Sequence, residues 1–201
     1  MTKRKTYIKF LGLYEKDLSK KIKKKGLTIT VSGLSGSGKS LGAKSIAKSL
    51  KLKYFYAGKI QRLLAKEKGI SLVEQAEKRG PEVDFEMDRT TLKLAMKGNV
   101  VLDGRLTGWV AGDWADVKIY YYCPLRVRAE RVAGRDRTTP ADAKRKIKKR
   151  DREDHEKYLK YYCIDSYDKS IYDIIIKNEK FTKEKAKIVP VKLVKEFLKK
   201  K

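Results

Sequence analysis

Residues Gly33-Leu34-Ser35-Gly36-Ser37-Gly38-Lys39-Ser40 fit the pattern G-x-x-x-x-G-K-[ST], the phosphate-binding P-loop. This stretch constrains the fold more than any other, because such a loop works only between a strand and the start of a helix. Its backbone amides turn inward around a polyphosphate, an approach that a Cβ at the glycine positions would block. Lys39 can reach the β- and γ-phosphates, and the Ser40 hydroxyl can ligate Mg²⁺. A helix opening at the loop aims its unpaired N–H groups and positive dipole end at the anion. Both flanks fit. Leu27-Thr28-Ile29-Thr30-Val31-Ser32 alternates apolar and small polar residues as a strand does, and Leu41, Ala43, Ile46, Ala47 and Leu50 suit one face of a helix. The nucleotide-binding set is therefore Gly33 to Ser40 together with Leu41.

Strand and helix patterns then alternate to the end of the chain. Strands are expected at 51–58, 99–104, 117–123 and 172–176, and helices at 59–68, 71–79, 84–97, 125–135, 141 to about 162, and 183–201. Phe85, Met87, Leu92, Leu94, Ala95 and Met96 are the candidate core residues of the 84–97 helix. This alternation predicts an α/β fold of the P-loop NTPase type, with a parallel sheet of about five strands covered by helices on both faces. Residues 1–25 form a Lys-rich extension in which Tyr7, Leu11, Tyr14, Leu18 and Ile22 recur at helical spacing, and 26–201 form the domain proper.

In such a sheet ligands bind beyond the carboxyl ends of the strands. That rule selects the P-loop, Ala57-Gly58, Asp103-Gly104-Arg105 and the segment from Pro124 onward. Asp103 follows the apolar run Val100-Val101-Leu102, where a carboxylate can hold Mg²⁺ or its water shell. Arginine's planar fork suits phosphate oxygens, which brings in Arg62, Arg105, Arg131, Arg135, Arg150 and Arg152.

The chain has 51 Lys and Arg against 25 Asp and Glu, a formal charge of +26. A field of that sign attracts polyanions of every kind, nucleotides and nucleic acids alike. An RNA or ribosome partner is one reading of the excess; solubility, or a Lys-rich surface suited to high temperature, is the other. No apolar run approaches the ~20 residues of a membrane span, and no apolar signal core opens the chain, so a cytoplasmic protein without a membrane partner is expected. Cys123 and Cys163 have no metal-ligand spacing and are expected to be small buried or half-buried residues. His155, the single histidine, stands in a charged stretch and is expected on the surface.

The order of these segments resembles the nucleoside monophosphate kinases, and most nearly the archaeal-type cytidylate kinases. The resemblance rests on Gly33–Ser40, Ala57-Gly58-Lys59-Ile60-Gln61-Arg62, Asn99 to Trp109 with its Gly104-Arg105-Leu106-Thr107-Gly108-Trp109 run, Ala115–Ile119, Pro124–Val132, Arg150-Asp151-Arg152-Glu153 and Tyr162-Cys163-Ile164-Asp165. It implies transfer of the ATP γ-phosphate to CMP or dCMP. It places Arg62 and Arg105, with Gly58, Asp103 and Gly104, around the acceptor, and Ser40 and Asp103 at Mg²⁺. It brings Arg131 to the ATP base, Arg135 to its phosphates, and Arg150 and Arg152 over the transferring group. Residues 57–98 would be the moving acceptor segment and 133–150 a lid. The sequence departs from the family pattern at Leu34-Ser35, where two prolines are usual, at Asp103 (Glu), at Cys163 (Gly) and at Lys177-Asn178 (Asn-Thr). Two other readings stay open: an ATPase associated with RNA or ribosomes, and an adenylate kinase.

Overall fold

The computed structural model describes residues 24–59 and 81–201. Five parallel strands form one sheet, β1 (Thr28–Gly33), β2 (Lys53–Tyr56), β3 (Val100–Asp103), β4 (Val117–Tyr122) and β5 (Ile174–Lys177), in the order β2-β3-β1-β4-β5. All six residues of β1 are buried, as a central strand covered on both faces requires. The described helices are α1 (Lys39–Ser49), α2 (Pro81–Lys97), α3 (Thr107–Ala111), α4 (Leu125–Asp136), α5 (Pro140–Tyr162) and α6 (Lys185–Lys199).

The sheet divides two apolar layers. On one face Ile29, Val31, Val101, Val117, Ile119 and Tyr121 pack with Ala43, Ile46 and Ala47 of α1 and Val194 of α6. On the other, Ala95 of α2 packs with Val100, Leu102 and Ala111. Leu92 and Met96 of α2 join Leu106, Val110, Tyr162 and Ile164 in a neighbouring cluster. Of the expected core residues, Leu41, Leu50, Phe85, Met87 and Leu94 are only half-buried.

Several boundaries differ from the sequence pattern. α2 spans Pro81–Lys97, so it already includes Pro81 where the pattern starts it at Asp84. β5 begins at Ile174, because the Asp173 carboxylate accepts a hydrogen bond from the Lys118 amide at 2.7 Å just before the ladder starts. The five-residue helix α3 is too short to leave a periodic signature. It is fastened to β1 by Thr107 and Gly108: the Gly108 amide donates to Ser32 Oγ at 3.0 Å, and Thr107 Oγ1 donates to the Val31 carbonyl at 3.3 Å. A Cβ on Gly108 would stand 2.6 Å from the Tyr172 ring, so the glycine permits this close docking.

Cys123 is buried as expected, but Cys163 is exposed. It caps α5 at φ 53, a left-handed position that glycine or asparagine usually fills. His155 is half-buried rather than on the open surface: its ring lies 4.4 Å from that of Tyr167, and Nδ1 is 3.0 Å from Ser166 Oγ. The expected helices at 59–68 and 71–79 and residues 1–23 of the extension lie outside the described residues. Lys24, at the end of that extension, pairs with Asp116 at 2.6 Å. Among the described residues, no helix is long and apolar enough to cross a membrane.

Candidate active site

The carboxyl ends of β1, β2 and β3 open on one cleft, closed from the side by α2 and α5. Lys39 and Ser35 of the P-loop, Gly58 beyond β2, and Gly104-Arg105 beyond β3 line it together. The helices contribute Asp84 and Asp88 from α2, and Arg150, Asp154 and Tyr158 from α5.

The P-loop is held from behind as well as shaped for a ligand. Gly36 and Gly38 have φ 76 and 81, where a side chain is strained. Their outer sides are also filled: a Cβ on Gly36 would meet the Arg128 carbonyl at 2.8 Å, and one on Gly38 would meet Asn178 Nδ2 at 3.0 Å. Asn178 Nδ2 donates to the Ser37 carbonyl at 2.6 Å, and Arg128 Nη1 donates to the Ser35 carbonyl at 3.1 Å. With carbonyls tied outward, the loop's amides are left for an anion, and α1 begins at Lys39 directly beneath them.

Lys39 is held above this point with its Nζ 3.5 Å from the Leu34 carbonyl. Burial lowers its pKa from the ordinary lysine value to about 8; Asp103 pulls it up, and Arg105 and Arg150 push it down. An ammonium destabilised in this way gains strongly when a polyphosphate arrives.

Asp103 ends β3 with no exposed surface. Its Oδ2 accepts from the Tyr54 hydroxyl at 2.7 Å, while Oδ1 has no hydrogen-bond partner among the described residues. Ser40 lies beside the same phenol, so Tyr54 stands between the two side chains that the sequence suggests for Mg²⁺. An orphaned carboxylate oxygen beside a P-loop serine fits a hard divalent cation that takes its remaining ligands from phosphate and water. Among the described residues, no cluster of three or more His, Cys, Asp or Glu could hold a metal ion.

Arg105 faces the same cleft from the far side. Its Nη1 makes ion pairs with Asp154 and, at 3.3 Å, with Asp151, yet Nη1 and Nη2 make no hydrogen bond of good geometry among the described residues. Burial disfavours its charge; Asp154, Tyr158 and Asp151 more than restore it. A buried guanidinium with unspent donors, facing a P-loop lysine across a cleft, can grip a second anion.

A comparison with protein families adds the decisive observation. The model of the cytidylate kinase-like family matches residues 28–180. The chain belongs to the cytidylate kinase-like family. It is 48% identical over 160 residues to a cytidylate kinase of Pyrococcus horikoshii, covering 79% of this chain and 83% of that protein. It is 38% identical over 175 residues to a cytidylate kinase of Staphylothermus marinus, covering 86% of this chain and 99% of that one. Among solved structures, shikimate kinase from Acinetobacter baumannii superimposes with a TM-score of 0.58 at 16% identity, over 89% of this chain and 96% of that one. That likeness shows the P-loop kinase fold. The family makes the protein a phosphotransferase.

Within this kinase, the structure brings Lys39, Asp103, Gly104, Arg105, Gly58 and Arg150 to one place. Arg62 lies outside the described residues. Arg131 is engaged behind the P-loop, with Nη2 donating to the Asn178 carbonyl at 2.8 Å and Nη1 to the Ser37 carbonyl at 3.3 Å, beside Gly38. Arg135 is turned onto Asp136 at 2.6 Å, and Arg152 is exposed with Nε 3.8 Å from Glu156. Neither lines the cleft. Sequence reasoning missed Tyr54, Asp154 and Tyr158. For the last two a signal existed: α5 buries Ala143, Ile147, Asp151 and Tyr162, and a helical stripe of that spacing carries 154 and 158 on the same side.

Proposed function

We propose that this kinase transfers the γ-phosphoryl group of ATP to CMP or dCMP, giving the diphosphate. One observation carries the reading: Lys39 from the P-loop and Arg105 from the end of β3 face a single cleft, so two anions can be held there together. The names of the relatives supply the acceptor base. Phosphoryl transfer asks the protein chiefly to align donor and acceptor and to neutralise charge. The P-loop amides from Gly33 to Leu41 would cradle the triphosphate, with Lys39 at the β- and γ-oxygens. Ser40 and Asp103 would hold Mg²⁺, which neutralises phosphate charge when bound. Arg105, with Gly104 and Gly58, would grip the monophosphate, joined by Arg62. Arg150, already at the cleft, would meet the transferring group. Arg135 and Arg152 would have to swing inward from their present partners, a lid motion of the 133–150 segment and the helix beyond it. Arg131, beside Gly38, is placed where a base attached to a P-loop-bound phosphate could rest on it.

Both relatives named above carry the name cytidylate kinase, and nothing in the cleft among the described residues favours an RNA- or ribosome-associated ATPase. A coupled assay with CMP, dCMP, UMP and AMP tests the proposal. CMP and dCMP should exceed the others by at least tenfold in kcat/KM. Preference for AMP would make the protein an adenylate kinase. Turnover of ATP that ignores every monophosphate but rises with RNA would support the ATPase alternative.

A further inference from the structure

Asp151 is a carboxylate buried in the apolar stripe of α5, 7% exposed, and the two-anion mechanism gives it no task. Its two oxygens reach in opposite directions. Oδ2 accepts from Arg128 Nη1 at 2.7 Å, and Oδ1 lies 3.3 Å from Arg105 Nη1. Arg128 is tied to the donor side: the same Nη1 donates to the Ser35 carbonyl of the P-loop at 3.1 Å, and Nε donates to the Cys123 carbonyl at 3.1 Å. Arg105 is the acceptor-side guanidinium. One carboxylate therefore touches both halves of the site. Among the described residues, Asp154, the other acid on Arg105, pairs only toward Arg105 and Arg150 and reaches no group that holds the P-loop.

We infer that Asp151 is a positioning residue that couples donor binding to acceptor binding, through the Arg105–Asp151–Arg128–Ser35 chain. This rests on the proposed acceptor role of Arg105. A phosphate arriving at Arg105 draws its guanidinium off the α5 carboxylates. Asp151 is then committed to Arg128 alone, and a charge-assisted hydrogen bond strengthens when its acceptor is no longer shared. Arg128 in turn holds the Ser35 carbonyl outward, the arrangement in which the loop's amides face a polyphosphate. The same linkage runs backward: an ordered P-loop fixes Arg128 and Asp151 and leaves Arg105 freer for the acceptor. Such coupling must be reciprocal.

Calorimetry on the full chain tests it. CMP affinity is measured with Mg²⁺ alone and with Mg²⁺ and a saturating non-hydrolysable ATP analogue, and then in the reverse order. The wild type should show affinity raised about fivefold or more by the other ligand, the lower end of ordinary coupling, and equally in both directions. Asp151→Asn should reduce that factor to below about twofold. Asp154→Asn should change CMP affinity but keep the factor. Arg128→Lys keeps a charge beside Asp151 but loses the fork that reaches Ser35 and Cys123 together. It should also lose the coupling, and it decides the matter if Asp151→Asn does not fold. Undiminished coupling in Asp151→Asn or Arg128→Lys, or no coupling in the wild type, overturns the inference. Absence of CMP binding by the wild type would instead overturn the acceptor reading on which it rests.

Discussion

Lys39→Met keeps the length and most of the volume of the P-loop lysine and removes its charge. Folding lowers the pKa of Lys39 from 10.5 to about 8, with burial as the main cause. Below pH 8 the lysine is protonated in both the folded and the unfolded chain, and the folded state bears the full cost of holding it. At ~1.4 kcal/mol per tenfold change in the proton equilibrium that cost is about 3 kcal/mol, and about 2 kcal/mol once the side chain's partial exposure is allowed for. As pH rises from about 8 to 10.5, the folded state sheds the proton first and the cost fades. In the absence of nucleotide, Lys39→Met should therefore be more stable than the wild type at pH 7 by about 2 kcal/mol, or roughly 4–8 °C in Tm for a chain of this size. The gap should narrow toward pH 10. The same variant should transfer no phosphate. Thermal melts of both proteins across this pH range, with activity measured in parallel, check it. A variant that melts at or below the wild-type temperature at pH 7 would refute the claim that burial strains this lysine.

Three further outcomes are expected. Arg105→Ala should raise KM for the monophosphate by about a hundredfold while leaving KM for ATP within a few-fold, because a charge-assisted contact to one substrate is lost; steady-state kinetics with each substrate varied in turn will show it. Tyr54→Phe deletes the 2.7 Å hydrogen bond to Asp103 and should raise the Mg²⁺ concentration for half-maximal activity about tenfold, as read from Mg²⁺ titrations at fixed ATP. Gly42→Ala places a Cβ 1.8 Å from the Tyr121 hydroxyl and 2.8 Å from its ring carbon and should destabilise by about 1–3 kcal/mol through overpacking, and the double variant Gly42→Ala/Tyr121→Phe, which relieves the hydroxyl clash but not the ring contact, should recover part of that loss in denaturant melts.

The elements legible in the sequence are those with a strong local signal. The P-loop declares itself by residue type, and the strand-end rule selected Gly104 and Arg105, which line the cleft, and Asp103, which is buried near Lys39. The parallel sheet followed from alternation of strand and helix patterns. What escaped depends on contacts across long sequence separations. Tyr54 is one of three aromatics in Tyr54-Phe55-Tyr56, and nothing local says which of them meets a residue 49 positions away. Arg128 looked like any charge on a basic helix, yet it is buried by carbonyls of the P-loop and of β4's end and by a carboxylate of α5. Cys163 illustrates the reverse error. A free cysteine packs as a small hydrophobe, which invites a buried or half-buried reading, but Cys163 occupies the left-handed cap of α5 at φ 53 and is exposed.

The central claim is that the P-loop and the end of β3 hold two phosphates in one cleft so that one passes to the other. Incubation with CMP and ATP labelled in its γ-phosphate tests it directly. The label should appear in CDP, one CDP for each ADP formed. Label released as inorganic phosphate, with ADP but no CDP, would contradict it.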